Sequence, residues 1–254
     1  MTVESLIPQT GTGRPDGGPH PLSAFLIRTS LGFEEREALN AAAGPLRAIA
    51  RGQSILEQGA SPAALSILCS GVAQSARSLT DGRQQILALF VPGDALDCTP
   101  FFEPSRVRIS ALTAGTVIQI PADALKRLME QHPAIMRALW GETAMHAAIQ
   151  QEWMVSLGRQ SAMARLAHLI CELSLRFRAA GLADEENCAF PLTQSEAADA
   201  LGISVVHMNR VLQQLRKKGL VALSRGNLSI IDREALYRAA EFDPEYLRSG
   251  ANLA

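Results

Sequence analysis

The sequence predicts an α+β protein: an antiparallel β unit, a sandwich or barrel, then a long helix, then a C-terminal winged helix-turn-helix. Three observations carry this. Short apolar runs separated by turn residues fill the first half, as in an antiparallel all-β unit. Helical apolar spacing takes over after Pro121. From Thr193 the chain reads as two short helices meeting at a glycine, followed by two strands.

The 254 residues exceed one average domain and suit two compact units. An apolar content of 47% is that of a folded chain, and no run approaches the length a membrane span requires. No membrane partner is expected. Residues 1–21 lack the basic-then-apolar order of a secretory signal and are rich in glycine and proline, so a flexible arm and a cytoplasmic location are expected. Cys69, Cys98, Cys171 and Cys188 lie far apart with no Cys-x-x-Cys pair, which argues against a disulfide framework and a cysteine-held metal. They are expected to be mostly buried thiols. The net charge of −1 does not announce a nucleic-acid partner, so any attraction to DNA must come from local clustering. Arg210, Arg216, Lys217, Lys218 and Arg225 supply such a cluster, and Asp184, Glu185 and Glu186 precede it.

Residues 22–121 form the expected β unit. A short helix from Leu31 to Ala43 offers Phe33, Ala38 and Leu39 to one face. Strands are read at 54–56, 65–68, 85–90 and 116–120. Asp81-Gly82, between a polar and an apolar strand, is a hairpin signal of the kind in which both central residues need positive φ. Pro92-Gly93 suits a type II turn, with proline at the first central position and glycine at the second.

Residues 122–157 form a connector and a candidate dimerisation helix. Leu125 and Leu128 mark a first helix, which breaks at His132-Pro133 because proline disfavours helix in the residue before it. A longer helix runs to about Leu157, with Ile135, Leu139, Met145, Ile149, Trp153 and Leu157 as an apolar stripe. The stripe suits a parallel pair of subunits and hence a homodimer; a helix buried against its own chain would show the same spacing. Gly158 is a candidate hinge to the last domain, 158–254. Ser161 caps its first helix, whose inward positions are Met163, Leu166, Leu169, Ile170 and Leu173. The segment 181–187 reads as a loop.

The segment from Thr193 reads TQSEAADALGISVVHMNRVLQQLRKKGLV. Thr193 and Glu196 have capping-box spacing. Ala198 is small where helices cross, and Gly202 sits where the turn asks for a left-handed residue. Ser204 caps the second helix, which buries Met208, Val211, Leu212 and Leu215. Its other face carries Val205, Val206, Asn209, Arg210 and Gln213, as a recognition helix does in a major groove. The fork of Arg210 matches the two acceptors of a guanine edge, Asn209 or Gln213 can pair with adenine, and the valines can meet thymine methyls. Arg210 could equally touch only phosphate, and Lys217 and Lys218 could merely complement the negative end of their own helix. Runs at 220–223 and 228–231 form a wing around 224–227, where Arg225 is placed for the DNA backbone. A closing helix begins at Asp232, with Leu236, Tyr237 and Ala240.

In this order of parts the chain resembles the Crp–Fnr family of bacterial transcription regulators over nearly its whole length. The resemblance implies a cyclic-nucleotide-binding-like jelly-roll sensor, a parallel dimer helix, and a palindromic DNA site read one half per subunit. Residues 204–210 lie where the family begins its recognition helix, and Arg210 matches the arginine that contacts a guanine. Val206 stands where the family commonly has glutamate, so the usual half-site does not carry over. Members that bind cyclic AMP have a glutamate after the Pro-Gly-Asp turn and an Arg-Ser pair. Here the stretch reads PGDALDCTPFFEPSRVRIS, with Cys98 near the glutamate position and the pair reversed as Ser105-Arg106. Cyclic AMP is disfavoured, and a phosphate-bearing effector through Arg106 or Arg108 stays open. No cysteine precedes Cys69, so no iron–sulfur cluster of the oxygen-sensing kind is expected. Neither heme nor a thiol switch at Cys98 is excluded, but no cofactor is expected, the effector is unidentified, and RNA polymerase is a candidate partner.

Two rival readings fit parts of the sequence. A jelly roll can host a metalloenzyme, but His20, His132, His146, His168 and His207 fall in the arm or in helices, and no Ser-His-Asp set or phosphate loop is evident. Neither an enzyme nor a metal site is expected. The other rival is a ligand-binding signalling module whose helix-turn-helix serves protein contacts.

Overall fold

Among the described residues, seven strands fall in the first of two compact units, Pro21–Val155, the longest of them from runs rich in leucine, isoleucine and valine. The computed structural model describes residues 21–97, 104–182, 187–224 and 227–247. The strands are β1 (Arg47–Ile49), β2 (Ser54–Leu56), β3 (Ala64–Ser70), β4 (Ala73–Ser78), β5 (Gln84–Phe90), β6 (Arg108–Ala111) and β7 (Gly115–Pro121). They make two antiparallel sheets, ordered β1-β7-β3 and β2-β6-β4-β5.

Period-two alternation explains how the first sheet is buried on both faces. Leu65 and Ile67 of β3 and Ile118 and Ile120 of β7 join a cluster with Phe25, Leu39, Leu125 and Ile135 from the helices. Leu68 and Val117, of opposite phase, join Phe90, Ile109 and Ala111 of the second sheet in the other cluster. The helices are α1 (Ser23–Arg28), α2 (Phe33–Ala42), α3 (Ala122–Gln131) and α4 (Pro133–Arg159).

Several expectations need correction. β1, β6 and α1 were not foreseen, and β4, AQSARS, was expected only as a polar strand without bounds before the Asp81-Gly82 turn. Phe33 is 79% exposed and does not serve a buried face. At the β4–β5 hairpin only Gly82 has positive φ, at 83°. The turn is longer than a two-residue loop: Gly82 N donates to Leu79 O at 3.1 Å and Leu79 N to Arg83 O at 2.7 Å. The Asp81 carboxylate binds the Arg83 backbone and guanidinium instead. Pro92-Gly93 does form its turn, with Gly93 at φ 94° and Asp94 N donating to Val91 O at 3.0 Å.

The long helix continues through Gly158, so the break falls at Gln160. Its predicted stripe is buried within the single chain except at its end: Ile135 and Leu139 belong to the first unit's core, Met145, Ile149 and Trp153 are buried too, and Leu157 is half-buried. A neighbouring uncharged row, Met136, Trp140, Thr143, Ala147, Gln150 and Met154, is exposed. No helix among the described residues is long and apolar enough to cross a membrane.

The second unit, Ser156–Asp243, contains α5 (Ala162–Ala179), α6 (Gln194–Leu201), α7 (Val205–Lys217) and α8 (Arg233–Ala240). β8 (Asn187–Ala189), β9 (Val221–Ser224) and β10 (Asn227–Ile230) pair in the order β8-β10-β9, so the expected two-stranded wing has a third strand, which begins where the segment read as loop ends. A 3-10 turn, Pro244–Leu247, follows. α5 is buried almost all round, with Glu172 and Arg176 paired at 3.0 Å in its interior.

Two outcomes follow from this packing. A Cβ on Gly115 would stand 2.1 Å from the Ser70 carbonyl oxygen, so Gly115→Ala should lower unfolding free energy by at least about 1–3 kcal/mol, read in urea titrations. Burial pushes the Cys69 thiol up to about 11 and the Cys171 thiol up to about 12. Both therefore stay protonated near neutrality, and peptide mapping after iodoacetamide treatment at mildly alkaline pH should show them labelled roughly a hundredfold more slowly than a free cysteine.

Candidate nucleic-acid interface and effector cavity

The helix-turn-helix is specified by local backbone chemistry. The Thr193 hydroxyl accepts from Glu196 N at 3.2 Å and the Glu196 carboxylate accepts from Thr193 N at 2.7 Å, which starts α6 with its free donors satisfied. Ala197, Ala198, Ala200 and Leu201 are buried. Gly202 ends the helix in the left-handed region, at φ 62° and ψ 37°, and Ile203 N donates back to Ala198 O at 3.1 Å. Ser204 then accepts from His207 N at 3.2 Å and starts α7. Arg165 of α5 holds the junction, donating to the Leu201 carbonyl and the Gln160 carbonyl at 3.1 Å each.

α7 buries Met208, Val211, Leu212 and Leu215. Ser204, Val205, Val206, Asn209, Arg210, Gln213 and Lys217 are exposed, Val206 to 72%. The amide of Asn209 donates to the Val205 carbonyl at 3.3 Å, so part of its donor capacity is spent on its own helix. Lys217 and Lys218 line an open groove beside Ser161 and Met163 at the start of α5. Arg225 lies outside the described residues. The bond network and burial thus leave one face of α7 outward, with a single cation, Arg210, in its early half and Arg216, Lys217 and Lys218 at its end.

The first unit holds a cavity of about 450 Å³. Its apolar wall comes from Ala88 and Phe90 of β5, Leu96, Val107 and Ile109; Arg106 and Asp97 supply charge. α4 adds Thr143, His146, Ala147 and Gln150, and the His146 ring lies 5.3 Å from that of Phe90. Of the three effector residues read from sequence, Arg106 lines the cavity and Cys98 lies outside the described residues. Arg108 does not line it: its guanidinium faces Glu57 at 3.5 Å and the Gly52 carbonyl at 3.3 Å. The α4 residues went unread because nothing in their spacing says which wall they complete.

Residues 46–132 match the cyclic nucleotide-binding domain and residues 164–239 the Crp-like helix-turn-helix domain. A probable transcriptional activator of Rhizobium leguminosarum bv. viciae is 30% identical over 180 residues, 70% of this chain and 73% of that protein. Transcriptional activator protein anr of Pseudomonas aeruginosa is 26% identical over 213 residues, 83% of this chain and 86% of that one. Among solved structures, FixK2 from Bradyrhizobium japonicum shares the fold, with a TM-score of 0.70 at 24% identity over 77% of this chain and 96% of its own. With both domains matched in this order and an activator at that identity, the chain belongs to the Crp–Fnr family of DNA-binding transcription regulators.

Proposed function

We propose that this regulator acts in the cytoplasm as a homodimer that reads a two-fold symmetric operator, one half per α7, under the control of a small effector bound in the first unit. The observation that carries the reading is the division of α7 into a buried face and an outward face bearing Val205, Val206, Asn209, Arg210 and Gln213. Arg210 reads a base edge, and Ser204, Lys217 and Arg225 contact the backbone, which positions the helix without reading sequence. No catalytic role is assigned to any residue, in keeping with a family of regulators.

Dimerisation is assigned to the exposed row of α4. Met136, Trp140, Thr143, Ala147, Gln150 and Met154 alternate at four and three residues, the spacing of a coiled-coil seam, and none is charged. Trp140 is 72% exposed in the single chain, a large apolar cost that a partner helix would remove. The cavity, with an apolar wall and Arg106 at its edge, suits a small anionic effector. Contact with RNA polymerase is part of the reading, since the named relatives are transcriptional activators.

Selection of bound duplexes from a random pool by the purified protein tests the reading, and a two-fold symmetric site is expected. Affinity for that site should fall as salt rises, because phosphate neutralisation releases counterions. Arg210→Ala should cost about 1–3 kcal/mol and relax preference at one position of each half-site. If the variant selects the same sequence with the same stringency, Arg210 is not a base reader. Trp140→Asp should weaken the dimer by at least about 2 kcal/mol in sedimentation equilibrium; unchanged association would exclude this seam.

A further inference from the structure

α1 ends in Arg28, and that one side chain joins three parts of the first unit. Its Nη1 lies 2.5 Å from Asp94 Oδ1, and its Nη2 lies 2.5 Å from Glu142 Oε2 and donates to the Gly93 carbonyl at 2.8 Å. Both carboxylates are buried, Asp94 to 0% and Glu142 to 2% exposure. The second oxygen of Asp94 accepts from Val91 N at 2.6 Å, so the acid that meets Arg28 also closes the Pro92-Gly93 turn. α1 rests tightly on that turn: a Cβ on Gly93 would stand 3.0 Å from Ala24 Cβ.

These links bracket the cavity. Ala95, Leu96 and Asp97, directly after Asp94, form one part of its wall, and Thr143, His146 and Ala147, directly after Glu142 on α4, form another. We propose that Arg28 is a positioning residue whose planar fork, spanning the two acids, sets the spacing between the 91–97 turn and α4. It thereby governs the width of the cavity and the placement of the outward row of α4. The consequence for assembly rests on the dimer reading given above. Two buried carboxylates alone would push the turn and the helix apart; a guanidinium with fixed in-plane donors holds both at once. Lysine carries the same charge as a point on a flexible stem and has no such fork. The donor atoms of Asp94, Glu142 and His146 lie within 4.8 Å of one another, a set a divalent cation could take, but the guanidinium already stands against both carboxylates.

Hydrogen exchange followed by mass spectrometry on the full chain, well below its melting temperature, tests the proposal with Arg28→Lys, Arg28→Met and Glu142→Gln. Both Arg28 variants should speed exchange across residues 91–97 and 136–150 by about tenfold, leaving α5 of the second unit unchanged. Glu142→Gln should loosen 136–150 and leave 91–97 protected. Dimer dissociation constants of the Arg28 variants should rise by about tenfold. Wild-type protection in Arg28→Lys would overturn the proposal, since charge without the fork would then suffice. Acceleration spread evenly through the first unit would overturn it as well. A wild-type protein that stays monomeric would remove the dimer reading, and the exchange pattern would still decide the role of Arg28. Should Arg28→Met fail to fold, Arg28→Lys and Glu142→Gln carry the decision alone.

Discussion

What the second unit can present to a duplex depends on where α6 stops. Gly202 takes up a left-handed conformation that other residues adopt only at a cost, and two residues later Ser204 starts α7 by capping His207 N. An α-helix turns by about 100° per residue. Beginning α7 one residue earlier would therefore carry Arg210 to the buried place of Val211 and bring Met208 and Leu212 to the surface; beginning it one residue later would carry Gln213 to the buried place of Leu212 and bring Val211 out. The apolar cost of that exchange keeps the phase fixed, and the Arg165 bonds to the ends of its two neighbours hold the junction against sliding. Sequence readout is thus a property of two caps and a glycine before it is a property of any base-contacting side chain.

These features were legible because they are local. A capping box, a left-handed glycine and an apolar period of three and four residues act within a few positions, and the coordinates place each where the spacing put it. The strands were legible in part: runs such as Leu65–Leu68 stand out because their sheet is covered on both faces, whereas β4 and the three-residue β1 and β8 carry too little apolar signal. The cavity was not legible. Its lining comes from Ser75, from residues 88–97 and 104–109, and from residues 143–150 of a later helix, so no short-range pattern could assemble it. Arg106 and Arg108 look interchangeable in sequence. Arg106 lies in the bend before β6 and lines the cavity, while Arg108 opens the strand and is taken by Glu57.

α4 shows why periodicity cannot choose between partners. Two apolar rows run along it: Ile135, Leu139, Ile149 and Trp153 in one, Met136, Trp140, Ala147 and Met154 in the other. Both have the spacing of a seam, and only burial separates them, the first lying inside the chain and the second outside. A helix of 27 residues with a single apolar row would need only its own chain. The second row asks for something further, and its uncharged make-up over three turns and more is costly in water. The methionines and tryptophan there are adaptable, large side chains of the sort enriched in interfaces.

Val206 bears most directly on what DNA sequence this regulator reads. It projects at 72% exposure from the first turn of α7, one turn ahead of Arg210. A glutamate at that position could accept from the amino group of cytosine, and the pair of glutamate and arginine would then define two neighbouring base pairs by hydrogen bonds. Valine has neither donor nor acceptor. It gains by shedding water against a thymine methyl and loses wherever it strands a polar base edge without a partner, so its preference is set by what it excludes as much as by what it touches. With Asn209 turned back on the Val205 carbonyl, the proposed reading leaves the hydrogen-bonding part of the code to Arg210 and Gln213. The half-site should therefore centre on the base pair met by Arg210, with a thymine at the position facing Val206, and should differ from the half-site read by family members that carry glutamate there.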